Sequence, residues 1–172
     1  MERIILVGFM GAGKTTLGKA LAEKLGLPFY DSDALIEKST DSSISSIFLN
    51  HGELYFRNLE KEAIDKLPKN SSYVLAVGGG LPCFNNLMET LNAIGSTIYL
   101  KHDIRTLAKR LTKDTELRPL VAQKSHKELL SYIEEKVAER EVVYSKAHLI
   151  FEYEEQTPEG VIRRLNLLHQ KS

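Results

Sequence analysis

The chain has one cysteine, Cys83, so no disulfide can form within it. It has no excess of either charge: 23 Lys and Arg face 23 Asp and Glu, for a formal net charge of zero. Proteins that bind nucleic acid or anionic membrane surfaces usually carry a basic surplus, so neither partner is expected. No apolar run approaches the roughly 20 residues that cross a bilayer. No repeat, low-complexity tract or linker rich in Pro, Gly or Ser divides the chain. Its 172 residues therefore read as a single domain, 1–172, long enough for a substantial core. The scarcity of cysteine suits a cytoplasmic location. So does a start, Met1-Glu2-Arg3, that runs straight into an apolar strand and leaves no room for a leader.

What is present is organised around residues 4–18. Ile4 to Val7 form a short apolar run, as expected of a strand buried on both faces of a parallel sheet. Gly8-Phe9-Met10-Gly11-Ala12-Gly13-Lys14-Thr15 fits the phosphate-loop pattern G-x-x-x-x-G-K-[ST]. Leu17, Leu21 and Leu25 follow at helical spacing, and Gly26 is a natural helix stop. The glycines let the backbone turn so that successive N–H groups face one oxyanion cluster, and the helix start adds its positive end. Lys14 can reach the β- and γ-phosphates, and the Thr15 hydroxyl can ligate Mg²⁺.

A second strand, Leu27 to Tyr30, delivers Asp31-Ser32-Asp33 at its C-terminal end, where open α/β sheets bind ligands. Asp31 can hold Mg²⁺, directly or through water, and Asp33 can orient or deprotonate an acceptor hydroxyl. Asp33 also has the form of an N-cap, and local sequence alone favours that reading. A short helix over 44–48 is broken at Gly52, and a longer one runs from Glu53 to Leu67. Arg57 on that helix is either an i,i+3 surface partner of Glu60 or an anion clamp; spacing favours the surface pair. Tyr73 to Val77 form a third strand, ending in Gly78-Gly79-Gly80, either a flexible turn or a place where backbone approaches a ligand. Cys83 has no neighbour in sequence that marks a nucleophile, and a structural thiol is expected. Further helices are expected over 85–92, 104–111, 128–144 and from Pro158, with strands at 96–100 and 147–151. Residues 112–127 read as a long polar loop of the kind that closes over active sites; Arg118 within it is either a lid arginine or a solvated one. Arg140 reads as one surface charge among many. The alternation predicts an α/β fold of three layers, with a five-stranded parallel sheet.

Asp-x-x-Gly and Asn-Lys-x-Asp occur nowhere in the chain, which argues against a switch GTPase. Strand three ends in glycines instead of an acid, so the metal-side carboxylate must come from elsewhere, and Asp31-Ser32-Asp33 is the best supply. A small-molecule kinase remains. The order Gly8 to Thr16, Asp31-Ser32-Asp33, Phe56-Arg57-x-x-Glu60, Gly78-Gly79-Gly80, Arg118-Pro119-Leu120, Arg140 with Tyr144 resembles the shikimate kinases over essentially the whole length. That resemblance implies a monomer that uses Mg²⁺ and ATP to phosphorylate the 3-hydroxyl of shikimate. It implies that Gly11, Ala12, Gly13, Lys14, Thr15 and Thr16 hold the ATP phosphates, with Arg110 near the adenine. Thr15 and, through water, Asp31 would serve the metal. Asp33 would bind shikimate and act as base; Arg57 and Arg140 would clamp its carboxylate, with Gly79 and Gly80 offering backbone. Lys14 and Arg118 would stabilise the transferring phosphoryl group. Some positions depart from the family pattern, the stretch Leu81-Pro82-Cys83 among them. Asp41 stands where Gly is usual, and Val77 replaces a common hydroxyl before the triple glycine.

Overall fold

The computed structural model describes residues 2–112 and 124–170. Arg118 and most of the expected lid lie outside the described residues. Five parallel strands form one sheet in the order β2-β3-β1-β4-β5. They are β1 (Arg3–Val7), β2 (Phe29–Asp31), β3 (Tyr73–Ala76), β4 (Ser96–Leu100) and β5 (Leu149–Phe151). The helices are α1 (Lys14–Leu25), α2 (Ser32–Thr40), α3 (Ile44–Asp65), α4 (Leu87–Ile94), α5 (Ile104–Leu111), α6 (His126–Tyr144) and α7 (Pro158–His169).

The apolar run of β1 explains its central place. Ile4 and Leu6 enter one core layer with residues of α1, α5, α7 and the first half of α6. Ile5 and Val7 enter the other, with Ile64 of α3, the apolar face of α4, and Tyr144. All four are fully buried, each contributing on the order of 2 kcal/mol of hydrophobic stabilisation. A strand pleats with period two, so only a strand covered on both faces calls for an unbroken apolar run. A third, smaller cluster of Ile36, Ile47 and Phe56 ties α2 to α3.

The expected fold is present, with shifted boundaries. Strand β2 reaches Asp31, and it is Asp31, not Asp33, that caps α2: its carboxylate accepts from the N–H groups of Asp33 and Ala34. The alternation of the segment hides this, since two acids one residue apart offer the same local signal. Gly52 interrupts α3 as expected: its φ of 79° and ψ of 177° are non-helical and open essentially to glycine alone, so two helical segments meet there at a kink. Helix α6 starts at His126, earlier than expected, because Ser125 and Glu128 close a reciprocal capping box.

Asp41 keeps the turn that glycine would make. It sits at the C-cap of α2 in the left-handed region, with φ 49° and ψ 37°. An L side chain there costs about 1 kcal/mol, of which glycine returns part by having more freedom when unfolded. Asp41→Gly should therefore raise stability by roughly 0.5 kcal/mol, read as a higher urea midpoint at unchanged m-value. A lower midpoint would show that the Asp41 carboxylate stabilises this turn.

Candidate active site

The C-terminal ends of β1, β2 and β3 converge on one place. The loop after β1 turns through Gly8, Gly11 and Gly13 at φ 144°, 79° and 87°, values that disfavour any side chain. Gly13 is the N-cap of α1 and brings no side-chain acceptor, so nothing from its own side chain occupies the first-turn N–H groups. That is the construction that receives phosphate. Lys14 Nζ folds back on the loop, donating to the carbonyls of Gly8 and Phe9 at 2.8 and 3.0 Å. Two side chains hold the carbonyls on the loop's other side. Arg110 Nη1 donates to Gly11 O at 2.9 Å, and His102 Nε2 lies 2.8 Å from Ala12 O, so Nε2 carries the proton. Burial lowers the His102 pKa, and the Arg110 charge adds to the effect, which keeps the ring neutral in that donor role. Arg110 also lies over the Tyr153 ring, 5.3 Å from its centroid.

The ends of β1 and β2 meet through Thr15, whose hydroxyl donates to Asp31 Oδ2 at 2.7 Å. Asp33, in the first turn of α2, points inward. Burial raises its pKa most, the Asp31 carboxylate raises it further, and Lys14 opposes both. Ser32 between them is fully buried. Its hydroxyl accepts the Gly78 N–H at 2.9 Å and lies 3.4 Å from Asp33 Oδ1. A serine between two aspartates carries no pattern that marks it, and sequence reading passes over it.

Arg57 is not a surface residue. It is 9% exposed, and Glu60 is wholly buried. Arg57 Nε and Nη2 donate to Glu53 Oε1 at 3.3 and 3.0 Å, and Nη1 donates to Glu60 Oε2. The surface-pair expectation fails because α3 packs its Arg57 face under the glycine run after β3, a contact that helical spacing cannot show. Burial pushes the Glu60 carboxyl up to about 7, against the pull of the Arg57 guanidinium. Its Oε1 is buried without a hydrogen-bond partner among the described residues.

Each glycine of the triplet meets a different part of the site. A Cβ on Gly78 would lie 2.2 Å from Glu60 Oε1 and 3.1 Å from Asp33 Oδ1. On Gly79 it would lie 3.2 Å from Gly8 O and 3.3 Å from Met10 N in the phosphate loop. On Gly80 it would fall 2.1 Å from Arg57 Nη2. The triplet is thus a place of close backbone approach, and not a flexible turn.

Helix α6 closes the cluster. Arg140 lies over the Phe9 ring at 5.4 Å from its centroid, and the Tyr144 hydroxyl donates to Gly79 O. Cys83, beyond the glycines, is exposed, which corrects the expectation of a packed structural thiol. Desolvation raises its pKa despite Arg140 and Arg57, so it is not an activated nucleophile. The structure therefore brings together Lys14, Thr15, Asp31, Asp33, Arg57, Gly78–Gly80 and Arg140, with Arg110 on the far side of the loop. Glu60, read from sequence as the partner of Arg57, joins them, and so do Ser32, His102 and Tyr153, which sequence reading did not single out.

Phosphate-seeking N–H groups facing a half-buried acid and a caged arginine suit one class of chemistry, phosphoryl transfer by a phosphate-loop kinase to a small acceptor. The chain belongs to the shikimate kinase family: the family model described as Shikimate kinase matches residues 10–168. A shikimate kinase of Azobacteroides pseudotrichonymphae is 40% identical over 166 residues, covering 96% of this chain and 98% of the relative. The crystal structure of a shikimate kinase from Bacteroides thetaiotaomicron superposes with a TM-score of 0.88 at 36% identity, covering 98% of both chains. A shikimate kinase from Acinetobacter baumannii in complex with shikimate superposes with a TM-score of 0.86 at 32% identity, covering 99% of this chain and 94% of that one.

Proposed function

We propose that this enzyme transfers the γ-phosphoryl group of ATP to the 3-hydroxyl of shikimate, giving shikimate 3-phosphate on the route to chorismate and the aromatic amino acids. The observation that carries this reading is the buried Arg57, caged by Glu53 and Glu60 near the half-buried Asp33. An acceptor with one carboxylate and several hydroxyls calls for a planar cation and an acid side by side. The superposition on a family member in complex with shikimate supports it.

In this reading Gly11 to Thr16 hold the ATP phosphates, and Lys14 leaves the loop carbonyls to meet charge on the transferring group. Asp33 takes the proton of the attacking hydroxyl; its raised pKa makes it a better base at neutral pH than an ordinary carboxylate. Arg57 and Arg140 hold the carboxylate, with Gly79 and Gly80 offering N–H groups. Arg110 packs near the adenine. Arg118, assigned to the phosphates from sequence, lies outside the described residues.

Mg²⁺ fits the donors present. Thr15 Oγ1 and Asp31 Oδ2 are hard oxygens 2.7 Å apart. Among the described residues no group of three or more His, Cys, Asp or Glu could hold a metal ion. Mg²⁺ habitually takes one or two protein ligands and completes its shell with phosphate oxygens and water. When bound, the ion neutralises charge on the β- and γ-phosphates. Two core layers sharing one sheet support reading residues 1–172 as one catalytic domain. Among the described residues no helix is long and apolar enough to cross a membrane. We further propose a cytoplasmic monomer that binds no nucleic acid, which the balanced charge and single cysteine suit.

The product tests this reading. After incubation with Mg²⁺-ATP and shikimate, phosphorus–proton NMR should show one new phosphate ester, coupled to the proton at C3. An ester at another carbon would mean that Asp33 faces a different hydroxyl.

A further inference from the structure

We propose that Tyr144 is a positioning residue for the acceptor: its hydroxyl fixes the plane of the Gly79–Gly80 peptide and so aims the Gly80 N–H at the shikimate side of the site. This rests on the function proposed above and adds a residue that neither touches substrate nor carries charge.

Tyr144 is the last residue of α6 and is fully buried. Its hydroxyl donates to the carbonyl of Gly79. In a trans peptide the carbonyl of one residue and the N–H of the next point in opposite directions. Holding Gly79 O toward Tyr144 therefore turns the Gly80 N–H away from it, on the other side of the peptide. Gly80 is in contact distance of Arg57, since a Cβ there would lie 2.1 Å from Nη2. Among the described residues the Gly80 N–H donates to no protein acceptor, whereas the Gly78 N–H is held by Ser32 and the Leu81 N–H by Gly78 O. The Gly80 N–H, like that of Gly79, is thus left for a ligand.

Glycine makes this hydrogen bond necessary. A Gly-Gly peptide has no side chain on either flank to fix its rotation, and three glycines in a row leave the plane free to turn. The Cα of Gly79 lies close to the phosphate loop, where a Cβ would come within 3.2 Å of Gly8 O and 3.3 Å of Met10 N. Losing the Tyr144 hydroxyl should free the peptide plane without moving the loop. Arg140 lies one turn before Tyr144 on the same face of α6 and rests on Phe9. One helix end thus supplies both a cation for the carboxylate and a strut for the backbone donor.

The hydroxyl can be removed without changing packing. Tyr144→Phe should raise KM for shikimate about tenfold, while KM for ATP stays within about twofold and the thermal midpoint stays within a few degrees. Replacing Tyr144 with 4-aminophenylalanine restores an N–H donor at the same place and should recover most of the lost KM. Tyr99→Phe is the control. Its ring lies 5.1 Å from that of Tyr144, but its hydroxyl donates to Glu141 at 2.6 Å and not to the glycine run. It should leave KM for shikimate unchanged. An unchanged KM in Tyr144→Phe overturns the proposal. So does a parallel rise in both KM values with a lower midpoint, the signature of a merely structural role. A wild-type protein inactive with shikimate would overturn the reading of function as well, which separates the two failures.

Discussion

Asp33→Asn should abolish turnover, by about 10²–10⁴ in kcat, while ATP binding stays within about threefold of wild type. The substitution is isosteric and keeps one acceptor oxygen, so the Ser32 hydroxyl, 3.4 Å from Oδ1, has no reason to move. What it removes is the ability to take a proton. It also removes a negative charge near Lys14, Asp31 and Glu60, all of which interact electrostatically with Asp33. Relief of repulsion from Asp31 favours the phosphate side, and loss of attraction to Lys14 frees that cation for ATP. Neither change opposes nucleotide binding. Calorimetric titration with the non-hydrolysable ATP analogue, alongside steady-state rates, separates the two quantities. Loss of nucleotide affinity at similar kcat would move Asp33 to the phosphate side and leave the acceptor without its base.

Gly80→Ala should raise KM for shikimate by about 10–100-fold and leave ATP affinity near wild type, the size expected for losing a charge-assisted contact of roughly 1.5–3 kcal/mol. The backbone is not the obstacle: Gly80 has φ −87° and ψ −20°, open to any residue. The obstacle is Arg57, whose Nη2, Cζ and Nη1 would stand 2.1, 2.4 and 2.8 Å from the new methyl. A guanidinium at the end of a free side chain would swing aside at little cost. This one is tied to Glu53 and Glu60 and is 9% exposed, so moving it breaks a buried pair. Gly79→Ala makes the contrast. Its methyl would press on the phosphate-loop backbone at 3.2–3.3 Å, which cannot swing aside, so nucleotide affinity should fall instead. Equal effects of the two substitutions on both substrates would contradict the division of the triplet between acceptor and phosphate sides.

The fold is legible in the sequence where local chemistry and tertiary demand agree. Ile4 to Val7 can be nothing but a strand covered on both faces, and the phosphate loop needs its glycines in left-handed conformations. Thr157 caps α7 and Pro158 opens it, as their types require. Legibility ends where a residue's role depends on a segment far away in the chain. Arg57 and Glu60 have the spacing of a surface pair; only the glycines after β3, folded over them, make the pair buried. Ser32 and His102 each hold one backbone group, Gly78 N–H and Ala12 O, and lone residues of those types leave no pattern. Asp31 and Asp33 exchange their expected capping role because a one-residue shift in a strand end is invisible to composition. Their different tasks follow from the end of β2, where Asp31 faces Thr15 and Asp33 turns under Gly78.

The most direct test is ADP release from Mg²⁺-ATP, followed by a coupled spectroscopic assay, with shikimate, quinate, gluconate, adenosine monophosphate or buffer as acceptor. Strong release with shikimate and background with the others is the expected result. Release with adenosine monophosphate or gluconate instead would keep the phosphate loop and the fold but contradict the roles of Arg57, Arg140 and the triple glycine. Protein that binds ATP yet releases no ADP with any acceptor would contradict phosphoryl transfer itself.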